Sequence, residues 1–392
     1  SKGDYDTEIM KAHKAFIGKP VSDVAHAIAD ITAYFGKTEL SPDVTKTTLG
    51  QSFSSASADL LLATSKKILS VSRGQGKTDD RDALEFKTVH SVEDLLPERI
   101  AKTSQALARS IDRNVDHKSL VRHIISPDTF DNPIETFFTG SDEFAGLAQV
   151  TPQTNPVSMM GETNKTTTMG PGGIGSVHSI TLESRAVNPT SFSFLDPVQS
   201  PEGEKVGTTM HLATAVRKVG NDLVIRVIDA KTGKLHDLNA TEASRAVIAF
   251  SDQYENRKGK MVAKSATIKA VRGGEFINVS RNNVDYIFPS AKGFFSFAAN
   301  MVPFLHSDQG NRAMMASKMM EQALPLKYRE TPLVQTQVAP GRTFEEMTGQ
   351  GYSMRAPADG TVSKITKDEI IIKDSRGKSH KLNLPDKMPL NS

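Results

Sequence analysis

The spacing of apolar residues changes twice along this chain, and those changes bound what it can fold into. Over the first 125 residues apolar side chains recur at helical spacing, as expected for helices that turn one face inward. Val24, Ile28, Ile31 and Phe35 share one such face, and Gly36 stands where a helix-ending glycine belongs. Polar, serine-rich sequence from Gln51 to Ser57 precedes a second apolar run, Leu60 to Ile68. Ser91 and Asp94 have capping-box spacing, and Leu96, Ile100, Leu107 and Ile111 continue the stripe behind them. All three segments are expected to be core-forming helices.

After Pro127 the helical period fades, and from Gln149 to Gly175 Asn, Thr, Gly and Pro cluster. Such residues favour turns, so this stretch is expected to be loops laid over a framework. Long loops in a compact protein usually carry function, and Met159, Met160, Met169 and Ile174 argue that the stretch is partly buried. From Met210 onward strands are expected at Leu212 to Val216 and Leu223 to Ile228, around a Gly220-Asn221-Asp222 turn, with a further turn at Thr232-Gly233. A helix over Thr241 to Phe250, a strand-like stretch from Phe276 to Phe288 and a methionine-rich helix from Asn311 to Leu324 follow. Three alternating runs close the chain, Gly360 to Ile365, Glu369 to Lys373 and Lys378 to Leu384, and read as an antiparallel meander. The expectation is a multi-domain α+β protein: a helical region over 1–145, a loop-rich region over 146–209, a mixed β module over 210–285 and a last domain over 286–392.

Charge and composition exclude several functions. With 48 Lys+Arg against 45 Asp+Glu the formal net charge is +3, so any polyanion site must be local. The absence of cysteine removes disulfides, thiolate-held zinc, iron–sulfur clusters and thiol nucleophiles together. The ten histidines show no HExxH spacing. The polar opening SKGDYDTEIM lacks the apolar core of a signal peptide, and the stretch Phe294 to Leu305 is interrupted by Asn300 and Pro303. It falls short of the roughly 20 apolar residues that span a bilayer, so no membrane partner and a soluble, intracellular location are expected.

Few motifs carry chemistry by themselves. Gly74-Gln75-Gly76-Lys77-Thr78 looks like the end of a phosphate-binding loop, but Val71 stands where the opening glycine belongs and the segment follows a helical run. The paired acids Asp79/Asp80, Asp142/Glu143 and Glu345/Glu346 read as solvated surface, and no DxDGD cluster is present to hold two magnesium ions. Asn311 and Arg312 fall at the start of the methionine-rich helix, where free amides and the helix dipole favour a phosphate. The alternative is a surface pair of Arg312 with Asp308, and for Met314, Met315, Met319 and Met320 the plain reading is packing. Gly170-Pro171-Gly172-Gly173 and Ser200-Pro201-Glu202-Gly203 are tight turns that allow close backbone approach. Lys318, Lys327, Arg329, Arg342 and Arg355 outline a local basic region diluted by Glu321, Glu330, Glu345 and Glu346.

In order along the chain, DDRDALEFKTVHSVEDLL, QVTPQTNPVS, MGPGGI, RAVNPTSFSFLDPVQSPEGEKVG, FLHSDQGNRAMMASKMMEQALPL and TPLVQTQV resemble the central part of the beta subunit of multisubunit DNA-directed RNA polymerases. The resemblance runs from about Lys66 to Lys373. It implies DNA-templated nucleotidyl transfer, with this chain forming the wall of the RNA–DNA hybrid and the fork loops. By resemblance, Asn311 and Arg312 contact the triphosphate of the incoming nucleotide, acting electrostatically. The nucleic-acid-binding positions it implies are Gln149, Asn155, Lys165, Gly172, Gly173, Pro201, Glu202, Lys205 and Lys318. Magnesium would be held by a beta-prime-like partner. The other implied partners are the remaining beta-subunit pieces, template DNA, nascent RNA and nucleoside triphosphates.

Departures from the family pattern shape the expectation further. Pro152, Glu162, Lys165 and Thr167 stand where bacterial subunits carry Asp, His, Arg and Ser in the rifamycin pocket, while Gln149 is kept, so insensitivity to rifampicin is expected. Gly175 to Ser179 lacks the arginines usual in that fork loop, and Lys318 and Glu321 replace the family's Asn and Arg. The family's N-terminal lobes and everything from the flap onward have no counterpart in these 392 residues. The expectation is one piece of a split beta subunit of the kind giant bacteriophages encode, acting in the virion or the infected cell. The rival from another class is a noncatalytic nucleic-acid-binding or virion structural protein with a polymerase-like core.

Overall fold

The structure is a computed structural model that describes residues 2–20, 23–117, 128–139, 151–170, 172–257, 260–324, 326, 328, 330–352 and 354–384. The chain divides into two compact units, Ser1–Lys87 and Thr88–Ser392.

The first unit is helical: α1 (Lys2–Ile17), α2 (Val24–Gly36), α3 (Pro42–Leu49) and α4 (Ala58–Ser72). α2, α3 and α4 start on polar caps. The Asp23 carboxylate accepts from the amides of Ala25 and His26, Ser41 caps α3 ahead of Pro42, and Ser57 caps α4. His13 of α1 clips the first two helices together, its Nε2 3.0 Å from Asp30 of α2 and its Nδ1 2.9 Å from the Lys19 carbonyl. Two expectations change here. Gly36 is the last residue inside α2, and the cap is Lys37 in right-handed conformation. The apolar faces are also not a closed core: Ala27 is buried, but Ile28, Phe35, Leu61, Leu62, Ile68 and Leu69 are exposed. The polar sequence of α1, KGDYDTEIMKAHKAFI, offers α2 little apolar surface to meet. The Gly74 segment is the turn that ends α4, with Gly74 at φ +72°.

The second unit begins with α5 (Val92–His117) and α6 (Asp128–Thr139). The Asp94 carboxylate accepts from the Ser91 amide at 3.0 Å, one half of the expected capping box, and Leu96, Ile100, Leu107 and Ile111 are half-buried. The stretch read as loops contains α7 (Pro156–Thr163) and β1 (Lys165–Thr167). Asn155 and Ser158 form a capping box at the start of α7, an ordered start that the Thr, Gly and Pro content of the stretch conceals. β1 pairs antiparallel with β2 (Thr209–His211), joining the 146–209 stretch to the one that follows.

A seven-stranded sheet supplies the main core. Its strands are β3 (Val216–Val219), β4 (Asp222–Asp229), β5 (Leu235–Asn239), β6 (Ile248–Ala249), β9 (Thr267–Arg272), β10 (Glu275–Ser280) and β11 (Tyr286–Ile287), with α8 (Ala240–Arg245) after β5 and the hairpin β7 (Tyr254–Arg257) and β8 (Lys260–Ala263) inserted before β9. The order is β10-β9-β6-β11-β4-β3, with β5 also on β4. Gly220 at φ +59° makes the two-residue β3–β4 turn. Three expected boundaries move. The first strand starts at Val216, because Leu212 forms only an isolated bridge to Leu195. The expected Thr241 to Phe250 helix gives way to β6, and the Phe276 to Phe288 stretch splits around a 3-10 turn at Arg281–Asn283. Ile225, Val227, Leu238, Ile268, Ala270 and Ile287 are fully buried, and Phe192, Phe250, Phe288 and Phe294 pack beside them, with Phe294 4.9 Å from both Phe192 and Phe288 between ring centroids.

After the sheet in chain order come α9 (Phe297–Asn300), α10 (Gly310–Gln322), the short pair β12 (Gln337–Ala339) and β13 (Arg342–Thr343), and α11 (Phe344–Tyr352). Within the stretch Phe294 to Leu305, Phe294, Ala298, Ala299, Met301 and Val302 are buried, while Pro303 and Phe304 are exposed. Among the described residues no helix is long and apolar enough to cross a membrane. The expected closing meander is β14 (Gly360–Ile365), β15 (Glu369–Asp374) and β16 (Ser379–Asn383), all antiparallel. The fold is α+β throughout this unit.

Candidate functional site

The site is built around α10. Its approach turns sharply at Phe304, a non-glycine residue at φ +57°, and passes through a 3-10 turn at Leu305–Ser307. Gln309 is the N-cap and makes no side-chain cap bond, so the first amides of the helix carry no side-chain acceptor. Asn311 and Arg312 are exposed within this first turn. Arg312 does not pair with Asp308, whose carboxylate instead accepts from the Gln309 amide at 2.9 Å. Among the described residues the guanidinium's contact is the Met315 sulfur at 3.7 Å. A cation beside open amides at the positive end of a 13-residue helix is an arrangement suited to phosphate oxygens.

The methionines of α10 divide by face. Met314 and Met320 are half-buried, whereas Met315 and Met319 are exposed on the side that carries Arg312. Ala313 and the fully buried Ser317 face inward, where α10 packs on α7 and α9.

Asn155, Glu162, Lys165, Glu202 and Lys318 lie toward the other end of this helix. Asn155 caps two helices at once. Its Oδ1 accepts from the Ser158 amide at 2.8 Å, and its Nδ2 is shared among the carbonyls of Met320 and Glu321 at 3.0 Å and Ala323 at 2.7 Å. Lys318 pairs with Glu202 at 3.3 Å, which ties α10 to the Ser200–Gly203 turn. Glu162 and Lys165, adjacent across the end of α7, form an ion pair at 3.0 Å. Thr167 Oγ1 accepts from the Met169 amide at 3.1 Å, and the Pro152 carbonyl accepts from the Ser158 hydroxyl at 3.3 Å. Pro152 thus lies just ahead of α7, Glu162 within it, and Lys165 and Thr167 on β1.

Both glycine turns are compact. The Gly170 amide bonds the Ile174 carbonyl at 3.0 Å, and a side chain at Gly173 would meet the Thr168 carbonyl, while Gly172 is exposed at φ +78°. Ser200 Oγ accepts from the Gly207 amide at 3.2 Å, and Gly207 at φ +74° lies against the main chain of Arg185. Pro201 is half-buried and Lys205 is exposed. Arg342 bonds Gln350 and Arg355 pairs with Glu346, so the described members of the basic region, Lys318 included, are each engaged. Gln149, Lys327 and Arg329 lie outside the described residues.

A set of buried polar groups that sequence reasoning missed holds this end together. Asp196, 1% exposed, accepts from the amides of Ser296 and Val198, both at 2.7 Å. Gln199 accepts from the Ser296 hydroxyl and donates to Glu321 Oε1 at 2.5 Å. Burial pushes the Glu321 carboxyl up to about 7 against the lowering effect of Gln199. Burial also pushes the His211 imidazole below its usual range, and its Nδ1 has no hydrogen-bond partner among the described residues. The only local signal for this cluster was Glu321 itself, an acid where the resembling family carries Arg.

Comparison with known proteins bears on the whole arrangement. Residues 149–217, which include α7, β1, both glycine turns and β2, match the family model described as RNA polymerase Rpb2, domain 3. The DNA-directed RNA polymerase subunit beta of Methylacidiphilum infernorum is 29% identical over 328 residues, covering 80% of this chain and 24% of the relative. That of Caldicellulosiruptor bescii is 28% identical over 329 residues, covering 81% and 26%, and that of Anaplasma phagocytophilum is 30% identical over 320 residues, covering 79% and 22%. The chain spans about a quarter of the length of these curated relatives. Across about four-fifths of its own length, the loop-rich region included, this chain is beta-subunit-like.

Proposed function

We propose that the chain is part of a DNA-directed RNA polymerase and that α10 presents Arg312 and Asn311 to the triphosphate of an incoming nucleotide. The observation that carries this reading is Arg312 in the uncapped first turn of α10, without a carboxylate partner among the described residues. Similarity to beta subunits over about four-fifths of the chain supports the assignment to transcription. A guanidinium in this position acts by stabilising phosphate charge as pyrophosphate leaves. The metal chemistry of such a reaction belongs to magnesium ions held by a beta-prime-like partner with a DxDGD cluster. The 149–217 stretch lies along the RNA–DNA hybrid, with exposed Gly172 and Lys205 toward nucleic acid. Divergence at Pro152, Glu162, Lys165 and Thr167 supports a place among the split beta subunits of giant bacteriophages.

Two experiments test the proposal. Mass spectrometry of the polypeptides that co-purify with the chain should find a partner carrying DxDGD. In the assembled enzyme, Arg312→Ala should raise the nucleotide KM or lower kcat at least tenfold, about 1.4 kcal/mol of transition-state stabilisation. Unchanged values for both would remove the role given to Arg312.

A further inference from the structure

The carboxyl of Glu321 occupies an unusual place for an acid. It sits in the last turn of α10, and the residue facing it, Gly161, lies in the last turn of α7, so the negative ends of two helices converge on it. A side chain at Gly161 would collide with the Glu321 carboxyl. The charged groups around it are Glu162 from α7, Lys165 from β1 and Lys318 from its own helix. Both cations are already committed, Lys165 to Glu162 at 3.0 Å and Lys318 to Glu202 at 3.3 Å. The direct partner of Glu321 is a neutral amide, Gln199, itself held by the buried Ser296. Burial, with the nearby Glu162, therefore outweighs Gln199, Lys165 and Lys318, which favour a negative charge here.

We propose that Glu321 is a positioning residue which, in its uncharged form, seats the C-terminal turn of α10 on α7 and on the Gln199–Ser296 pair. Arg312 stands nine residues away on the same rigid helix, roughly 14 Å along its axis at 1.5 Å per residue. Loosening one end of α10 displaces the other. A carboxyl raised from 4.5 to about 7 holds its proton in the folded state where the unfolded chain has lost it. The stability it contributes is therefore lost as pH rises from about 4.5 through about 7. The seat is firm in mild acid and weakens above neutrality, so the helix that carries Arg312 is coupled to pH. The kinetic consequence rests on Arg312 contacting the nucleotide, whereas the seat itself does not.

The test compares wild type with Glu321→Gln, which keeps the shape and removes the titration. In the purified chain the two should melt together near pH 4.5, and the gap should open through about pH 7, with Glu321→Gln melting several degrees higher at pH 8. Gly161→Ala, which pushes the carboxyl off Gln199, should flatten the same difference. Parallel melting curves for wild type and Glu321→Gln across this range, or a Gln variant less stable at both ends, would overturn the proposal. In the assembled enzyme the nucleotide KM of wild type should rise at least threefold from pH 6.5 to 8 relative to that of Glu321→Gln, with kcat following in parallel for both. If Arg312→Ala proves kinetically silent while the melting difference persists, the nucleotide contact fails and the seat stands.

Discussion

The Asn155 amide donates to the Ala323 carbonyl at 2.7 Å, joining residues 168 positions apart in sequence. The same side chain caps the start of α7 through its oxygen. One residue thus closes the first turn of one helix and the last turn of another.

Asn155→Ala removes both functions. Loss of the N-cap alone costs about 1 kcal/mol, and the C-terminal carbonyls of α10 lose their donor as well, so about 2 kcal/mol in total is expected from urea unfolding. Asn155→Asp keeps the cap and loses the donor, and should fall between the two. An alanine variant as stable as wild type would show that the double cap is energetically idle.

Acid should loosen the join between α5 and the β3–β4 hairpin. Lys218 of β3 bonds Glu93 at 2.9 Å and Asp94 at 2.8 Å at the start of α5, beside a main-chain bond from the Val89 amide to the Asn221 carbonyl at 2.8 Å. Lys218 holds Glu93 down at about 2 and holds Asp94 below the usual carboxylate range. Because both folded values are depressed, this stability is present above the ordinary carboxylate range and is lost as pH falls toward 2. Lys218→Met should make the melting temperature less sensitive to acid in this window. Identical acid profiles for variant and wild type would refute the link.

Phe304 pays for its left-handed backbone with strain and gains little in return, since its side chain is 61% exposed. Asparagine tolerates this conformation far better. Phe304→Asn should therefore stabilise the chain by about 0.5 to 1 kcal/mol, read by urea unfolding against Phe304→Ala, which should give no gain.

Rifampicin should not inhibit the assembled enzyme at low micromolar concentration. The Glu162–Lys165 ion pair presents charge at the end of α7, and Pro152 has no side-chain hydrogen-bond group to offer. Inhibition in a transcription assay at that concentration would show that the departures leave the drug's contacts intact.

What was legible in the sequence is what local patterns encode. The α10 helix was expected over Asn311 to Leu324 and runs Gly310–Gln322, and the closing meander follows its alternation. The start of α7 was written in Asn155-Pro156-Val157-Ser158, but the surrounding turn formers outweighed it. The Glu321–Gln199 bond spans 122 residues and joins two side chains with no shared local signal, so only the folded chain shows it. The helices of the first unit failed differently. Their amphipathic periods were read correctly as helices, yet the faces they define remain exposed at Leu61, Leu62 and Ile68, because periodicity reports a face and not what covers it.

The meander has a practical consequence. Among the described residues β14 pairs only with β15, and Val362 and Ile365 on it are 50% and 70% exposed. An open strand border with greasy side chains templates self-association, so the chain produced alone should form strand-to-strand oligomers at high concentration. A lysine at Ile365 would be the simplest gatekeeper for keeping such preparations monodisperse.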